Sequence, residues 1–152
     1  MHVMDDAERD RLERIEAVLP GRWDTAALRS GASVCLTLVL PFRLLAVLID
    51  SQSSAVNFVL FALFLSFFEV GAGCAAWVQR VGFPLSHALA TAAASYVIAE
   101  LLFIVIRLIR GSEIPWMGIL ITFSFVALCG LVGGVLGSRL QAQGFVPSSQ
   151  RR

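Results

Sequence analysis

Four long apolar runs, at about 26–49, 55–78, 85–109 and 116–137, restrict the folds open to this chain more than any other feature. Each reaches or exceeds the ~20 helical residues that cross ~30 Å of hydrocarbon at 1.5 Å per residue. In a bilayer such runs are helices, because lipid offers backbone N–H and C=O groups no partner outside their own segment. Composition points the same way: 57% of the 152 residues are hydrophobic and 15% are charged, with a mean hydropathy of +0.79. A soluble domain carries about 45–50% apolar and about 25% charged residues. Lipid is therefore the expected solvent.

The connections are short: Asp50 to Ser54, Gln79 to Pro84 and Arg110 to Pro115. Short connections make successive helices antiparallel, so the expected fold is all-α, a four-helix transmembrane bundle of two antiparallel hairpins in a single domain over 23–139. Before it, residues 5–19 place Leu12, Ile15, Val18 and Leu19 at helical spacing among charges, and Pro20-Gly21 ends the pattern. Within 1–22 this reads as a short cytoplasmic amphipathic helix, either lying near the membrane or docking a partner. Its mixed charge differs from that of a basic lipid-binding segment. The first 25 residues lack the apolar core of a signal peptide, so the first span is expected to direct insertion itself. Residues 140–152 read as a disordered cytoplasmic tail.

All 12 basic residues are Arg, which reads as a bacterial coding bias, and their distribution sets the expected orientation. Nine of them (Arg9, Arg11, Arg14, Arg22, Arg29, Arg80, Arg139, Arg151 and Arg152) share one side, against Arg107 and Arg110 opposite. Arg43 falls within a span. Basic residues stay on the cytoplasmic side, so a multi-pass protein of the cell membrane with both termini cytoplasmic is expected. Trp23, Trp77 and Trp116 stand near span ends, where indoles prefer the headgroup region. A net charge of +1 excludes the clustered basic surface that nucleic acid requires. Aligning Leu63–Arg80 with Thr122–Arg139 matches Phe64 to Phe123, Gly71 to Gly130 and Arg80 to Arg139. If that reflects duplication, the halves form a parallel repeat.

Small residues mark the expected packing faces: Gly71, Gly73, Ala72 and Ala76 in the second span, Ala88, Ala92 and Ala93 in the third, and Gly130, Gly133, Gly134 and Gly137 in the fourth. Their spacing lets helix backbones approach closely, replacing the hydrophobic drive that lipid removes. They serve either packing within the chain or an interface with a second copy or membrane partner.

Two carboxylates, Glu69 and Glu100, carry the most information. A charge at their depth costs at least ~2.5–3.5 kcal/mol and so faces protein or water. Glu69 shares a helix face with Ala72, Gly73 and Ala76, which suggests the bundle interior. Glu100 shares one with Ala93, Tyr96, Ile104 and Arg107. Arg43 has two competing fates: pairing with Glu100, whose depth it matches, or snorkelling outward with help from Asp50. Pro41 is expected to kink the first span and free the Thr37 carbonyl. Arg43, Glu69 and Glu100 are thus the candidate intramembrane polar site.

His87, alone at the start of the third span, reads as a wet interfacial residue. Cys35, Cys74 and Cys129 lack zinc or redox spacing and read as small hydrophobes. No nucleophile, metal or phosphate-loop motif is present, so no catalytic residue, metal or cofactor is expected.

The stretches VGAGCAAWVQRVGFPLSHALA and CGLVGGVLGSRL resemble the small four-span membrane protein families of Gram-positive bacteria, which share a Gly/Ala-rich second-span end, a short basic turn and a Gly-rich fourth span. The resemblance implies a four-span bundle and no particular activity. The chain departs from the pattern in its two intramembrane Glu residues and its charged N-terminal helix. The reading that follows is a non-enzymatic structural or accessory membrane subunit, in contact with lipid and with a second copy or membrane protein. The alternative is a small ion-coupled transporter or channel subunit using Glu69 or Glu100.

Overall fold

A computed structural model describes residues 23–49, 53–145 and 147. The expected N-terminal helix at 5–19 lies outside them. The four apolar runs are four helices: α1 Thr25–Ile49, α2 Ser54–Val78, α3 Pro84–Ile109 and α4 Trp116–Ala142. Each is long and apolar enough to cross a membrane, and there are no strands among the described residues. The chemistry of the surface agrees. Phe58, Leu108, Ile109, Met117 and Leu120 all lie exposed, a distribution that water would penalise at roughly 25 cal/mol per Å² of apolar area. These are the features of a multi-pass membrane protein.

The helix ends follow from local chemistry. Asp24 caps α1, its Oδ1 accepting from the Ala27 N–H at 3.0 Å, which satisfies one of the orphan donors of a first turn. Pro84 opens α3, where its missing N–H costs nothing. α1 runs through Pro41 without ending. Gly82 has φ +81° in the α2–α3 connection, a conformation that favours glycine. There the Gln79 side-chain oxygen accepts from the Val81 and Gly82 N–H groups.

α4 continues past the expected end of its span to Ala142, so that Leu140–Ala142, expected in the tail, are helical. Gln141 Nε2 donates to the Gln79 carbonyl at 2.8 Å, and Gln79 Nε2 returns a bond to Gln141 Oε1 at 3.3 Å. This exchange ties the ends of α2 and α4 together and keeps Leu140–Ala142 helical. Beyond it, Trp77 Nε1 donates to the Phe145 carbonyl at 2.6 Å.

α2 and α3 each touch all three other helices, whereas α1 and α4 do not meet among the described residues. The most extensive contact is α2 with α4, and glycine is the reason. A Cβ at Gly133 would overlap the Glu69 carbonyl, and one at Gly137 would overlap the Gly73 carbonyl. The neighbouring glycines of α4 face α3: a Cβ at Gly130 would lie 2.8 Å from Ala92 Cβ, and one at Gly134 2.8 Å from Ala88 Cβ. Gly71 turns to α1, where its Cβ would lie 2.6 Å from Cys35 Cβ. Each glycine singled out in these spans thus meets a neighbouring helix of the same chain. The aligned pair Gly71 and Gly130 behaves alike, each packing its helix against the one before it.

Candidate intramembrane polar site

Arg43 projects from α1 just beyond Pro41, and Glu100 from the middle of α3. Arg43 Nη1 donates to Glu100 Oε1 at 2.5 Å. Of the two fates open to Arg43, the structure adopts the pair. The guanidinium carbon lies 4.3 Å from the Phe103 ring centroid and 5.5 Å from that of Phe64, where the ring faces add cation–π attraction. The partners are unequally sheltered, at 24% side-chain exposure for Arg43 and 9% for Glu100. One turn before Glu100, the buried Tyr96 hydroxyl donates to the Ile119 carbonyl on α4 at 2.8 Å. The group thus links α1, α3 and α4, including the two helices that do not touch.

Three cavities converge on Arg43. One of about 280 Å³ reaches Glu100, Asn57, Phe64 and Thr122 and is lined by all four helices. A second, about 190 Å³, adds Tyr96 and Arg107. A third, about 250 Å³, runs past Arg107 and Arg110 to Ser112. Arg43 thus borders all three cavities and Glu100 two of them. Arg107, near the end of α3, donates to the Glu113 carbonyl at 3.2 Å.

Glu69 is elsewhere. It does not join Arg43 and Glu100, and its expected place in the bundle interior is corrected by the structure. The residue is half-buried at the edge of a groove of about 330 Å³ between α2 and α4, which Val70, Gly73, Trp77, Gly133 and Leu136 also line. The cause is the glycine contact itself. Where Gly133 brings the helices together, the Glu69 backbone fills the seam and its side chain must leave sideways. No ion pair or hydrogen bond reaches the carboxylate among the described residues.

His87 is also corrected, from a wet interfacial residue to one with no exposed surface. Its Nε2 accepts from the Asp24 N–H at 2.8 Å, and its Nδ1 lies 2.8 Å from the Phe83 carbonyl. Together these require the neutral tautomer with the proton on Nδ1. Trp23 covers the ring at 5.3 Å between centroids. Asp24 Oδ2 also accepts from the Arg80 N–H at 3.2 Å. This knot joins α1, the α2–α3 connection and α3. Asp24 was missed in the sequence; its place immediately before an apolar run is an N-cap signal, but nothing in sequence links it to His87. One and two turns further along α3, Thr91 Oγ1 and Ser95 Oγ are buried without a conventional partner. Ser95 faces the weakly polar thiol of Cys35.

The three cysteines are free, and no group of three His, Cys, Asp or Glu side chains among the described residues could hold a metal ion. No family model, curated protein or solved structure matches the chain.

Proposed function

We propose that the chain is a non-enzymatic structural or accessory subunit of the cell membrane. In this reading it is built as two antiparallel hairpins with both termini cytoplasmic, as its arginine distribution implies. It belongs with the small four-span bacterial membrane proteins its sequence resembles. The observation that carries the functional part is the fate of Glu100. The most buried carboxylate among the described residues is already satisfied by Arg43, and a paired, hydrogen-bonded charge sets helix register instead of waiting for a solute. Reconstitution into liposomes tests this. Purified protein alone is expected to give no proton, cation or anion flux above that of empty vesicles. Robust flux overturns the reading.

The alternative, an ion-coupled transporter or channel subunit, is favoured by one feature. The cavities that meet at Arg43 leave the pair reachable from one end of the bundle. On that reading Glu100 exchanges Arg43 for a cation or proton, and Glu100→Gln abolishes a flux that wild-type protein displays. Flux that persists undiminished in Glu100→Gln removes this alternative.

A further inference from the structure

We propose that the cavity between α1 and α3 at the Arg110 end of the bundle is a binding site for an anionic phospholipid, whose phosphate it holds among Arg43, Arg107 and Arg110. The cavity is about 250 Å³ and takes its lining residues from α1, α3 and the turn that follows α3. Arg43 stands six residues before the end of α1, about 9 Å of helix at 1.5 Å per residue. Its guanidinium carbon lies 4.3 Å from the ring centroid of Phe103, which lines the same cavity. Arg107 reaches the rim, where its Nη1 donates to the Glu113 carbonyl at 3.2 Å, next in sequence to Ser112 of the lining. Arg110 stands at the cap of α3.

Charge makes this more than a row of arginines at a span end. The Glu100 carboxylate offsets Arg43 and uses one arm of its guanidinium. Among the described residues no carboxylate pairs with Arg107 or Arg110, and Glu113, the nearest acid in sequence, does not line the cavity. The negative end of the α3 dipole opposes them by only about half a charge. Positive charge therefore borders this cavity largely unmatched. A phosphate suits it, because its oxygens accept paired N–H donors from a guanidinium fork, and basic pockets between transmembrane helices take lipid headgroups.

The remaining walls select a lipid over a soluble anion. Leu44 and Ile106 border the same cavity, and Leu44 is 54% exposed on a helix long and apolar enough to cross a membrane. An acyl chain can leave the arginines along that apolar surface, from which a hydrated ion gains nothing. Binding here requires no transport. It is therefore independent of the accessory reading: flux overturns that reading and leaves this one untouched.

Native mass spectrometry of the full chain in a neutral detergent tests the proposal, with phosphatidylglycerol and phosphatidylcholine of matched acyl chains offered together. One phosphatidylglycerol retained per chain is expected, favoured over phosphatidylcholine by about tenfold. Arg107→Gln/Arg110→Gln, at two exposed positions, removes that preference. Arg29→Gln/Arg139→Gln, which takes the same charge from exposed positions near the start of α1 and the end of α4, keeps it. Glycerol phosphate, the headgroup anion without chains, does not displace the lipid at equal concentration. Equal retention of the two lipids, none of either included, overturns the proposal. So does equal loss of preference in the two double variants, which would reduce the effect to net charge. Displacement by glycerol phosphate as effective as by fresh lipid overturns it too, since the site then takes a soluble anion.

Discussion

Replacing Arg43 with Met strands the Glu100 carboxylate, and the structure sets how much that costs relative to the reverse change. Glu100 keeps only 9% of its side chain exposed, between α1, α3 and α4. A stranded charge at this depth costs roughly 2.5–3.5 kcal/mol on insertion scales, so Arg43→Met is expected to destabilise by about 3 kcal/mol. Glu100→Gln is milder. Arg43 is 24% exposed, rests against Phe103 and opens onto the cavity that runs to Ser112, so without its partner it can extend toward the helix ends. Loss of a charge-assisted bond worth about 1.5–3 kcal/mol, offset by that escape, leaves about 1 kcal/mol. The double variant Arg43→Met/Glu100→Gln has no charge left to strand and should fall within about 1 kcal/mol of wild type. Reversible unfolding in mixed micelles, followed by far-UV circular dichroism, measures all three. Equal costs for the two single variants, or additive costs in the double variant, would refute the reasoning: the pair would then contribute no coupling.

Further outcomes are expected from the same assay. Glu69→Gln, unlike Glu100→Gln, should be neutral or stabilising, because no cation among the described residues loses a partner; destabilisation above about 1 kcal/mol would reveal a hidden partner. Gly71→Ala, whose Cβ meets Cys35 Cβ at 2.6 Å, should cost about 1–3 kcal/mol by overpacking. Gly118→Ala, with only Pro115 Cβ at 3.8 Å, should instead gain up to about 1 kcal/mol from helix propensity. Asp24→Ala should cost about 1–2 kcal/mol by uncapping α1, and Asp24→Asn should restore most of it, since the amide oxygen can still accept from Ala27.

Features that depend on length and depth along one helix could be read from the residues alone. Spans near 26–49, 55–78 and 85–109 became Thr25–Ile49, Ser54–Val78 and Pro84–Ile109, because hydrocarbon thickness and backbone self-satisfaction act within a segment. Counting residues from the helix starts also put Arg43 and Glu100 at matching depth, so their pairing was one of two legible fates. Helix packing chose between them, by bringing α1 against α3 with Phe103 under the guanidinium. It alone placed Glu69 at the edge of the α2–α4 groove although its helical neighbours Ala72 and Ala76 are buried, and it buried His87 beneath Trp23. It also revealed Gly31 as the glycine that meets Gly71. The physical reason is rotational. Depth is additive along a chain at 1.5 Å per residue, but the neighbour each helix face meets depends on how all four helices turn about their axes, and close glycine contacts between different helices set that.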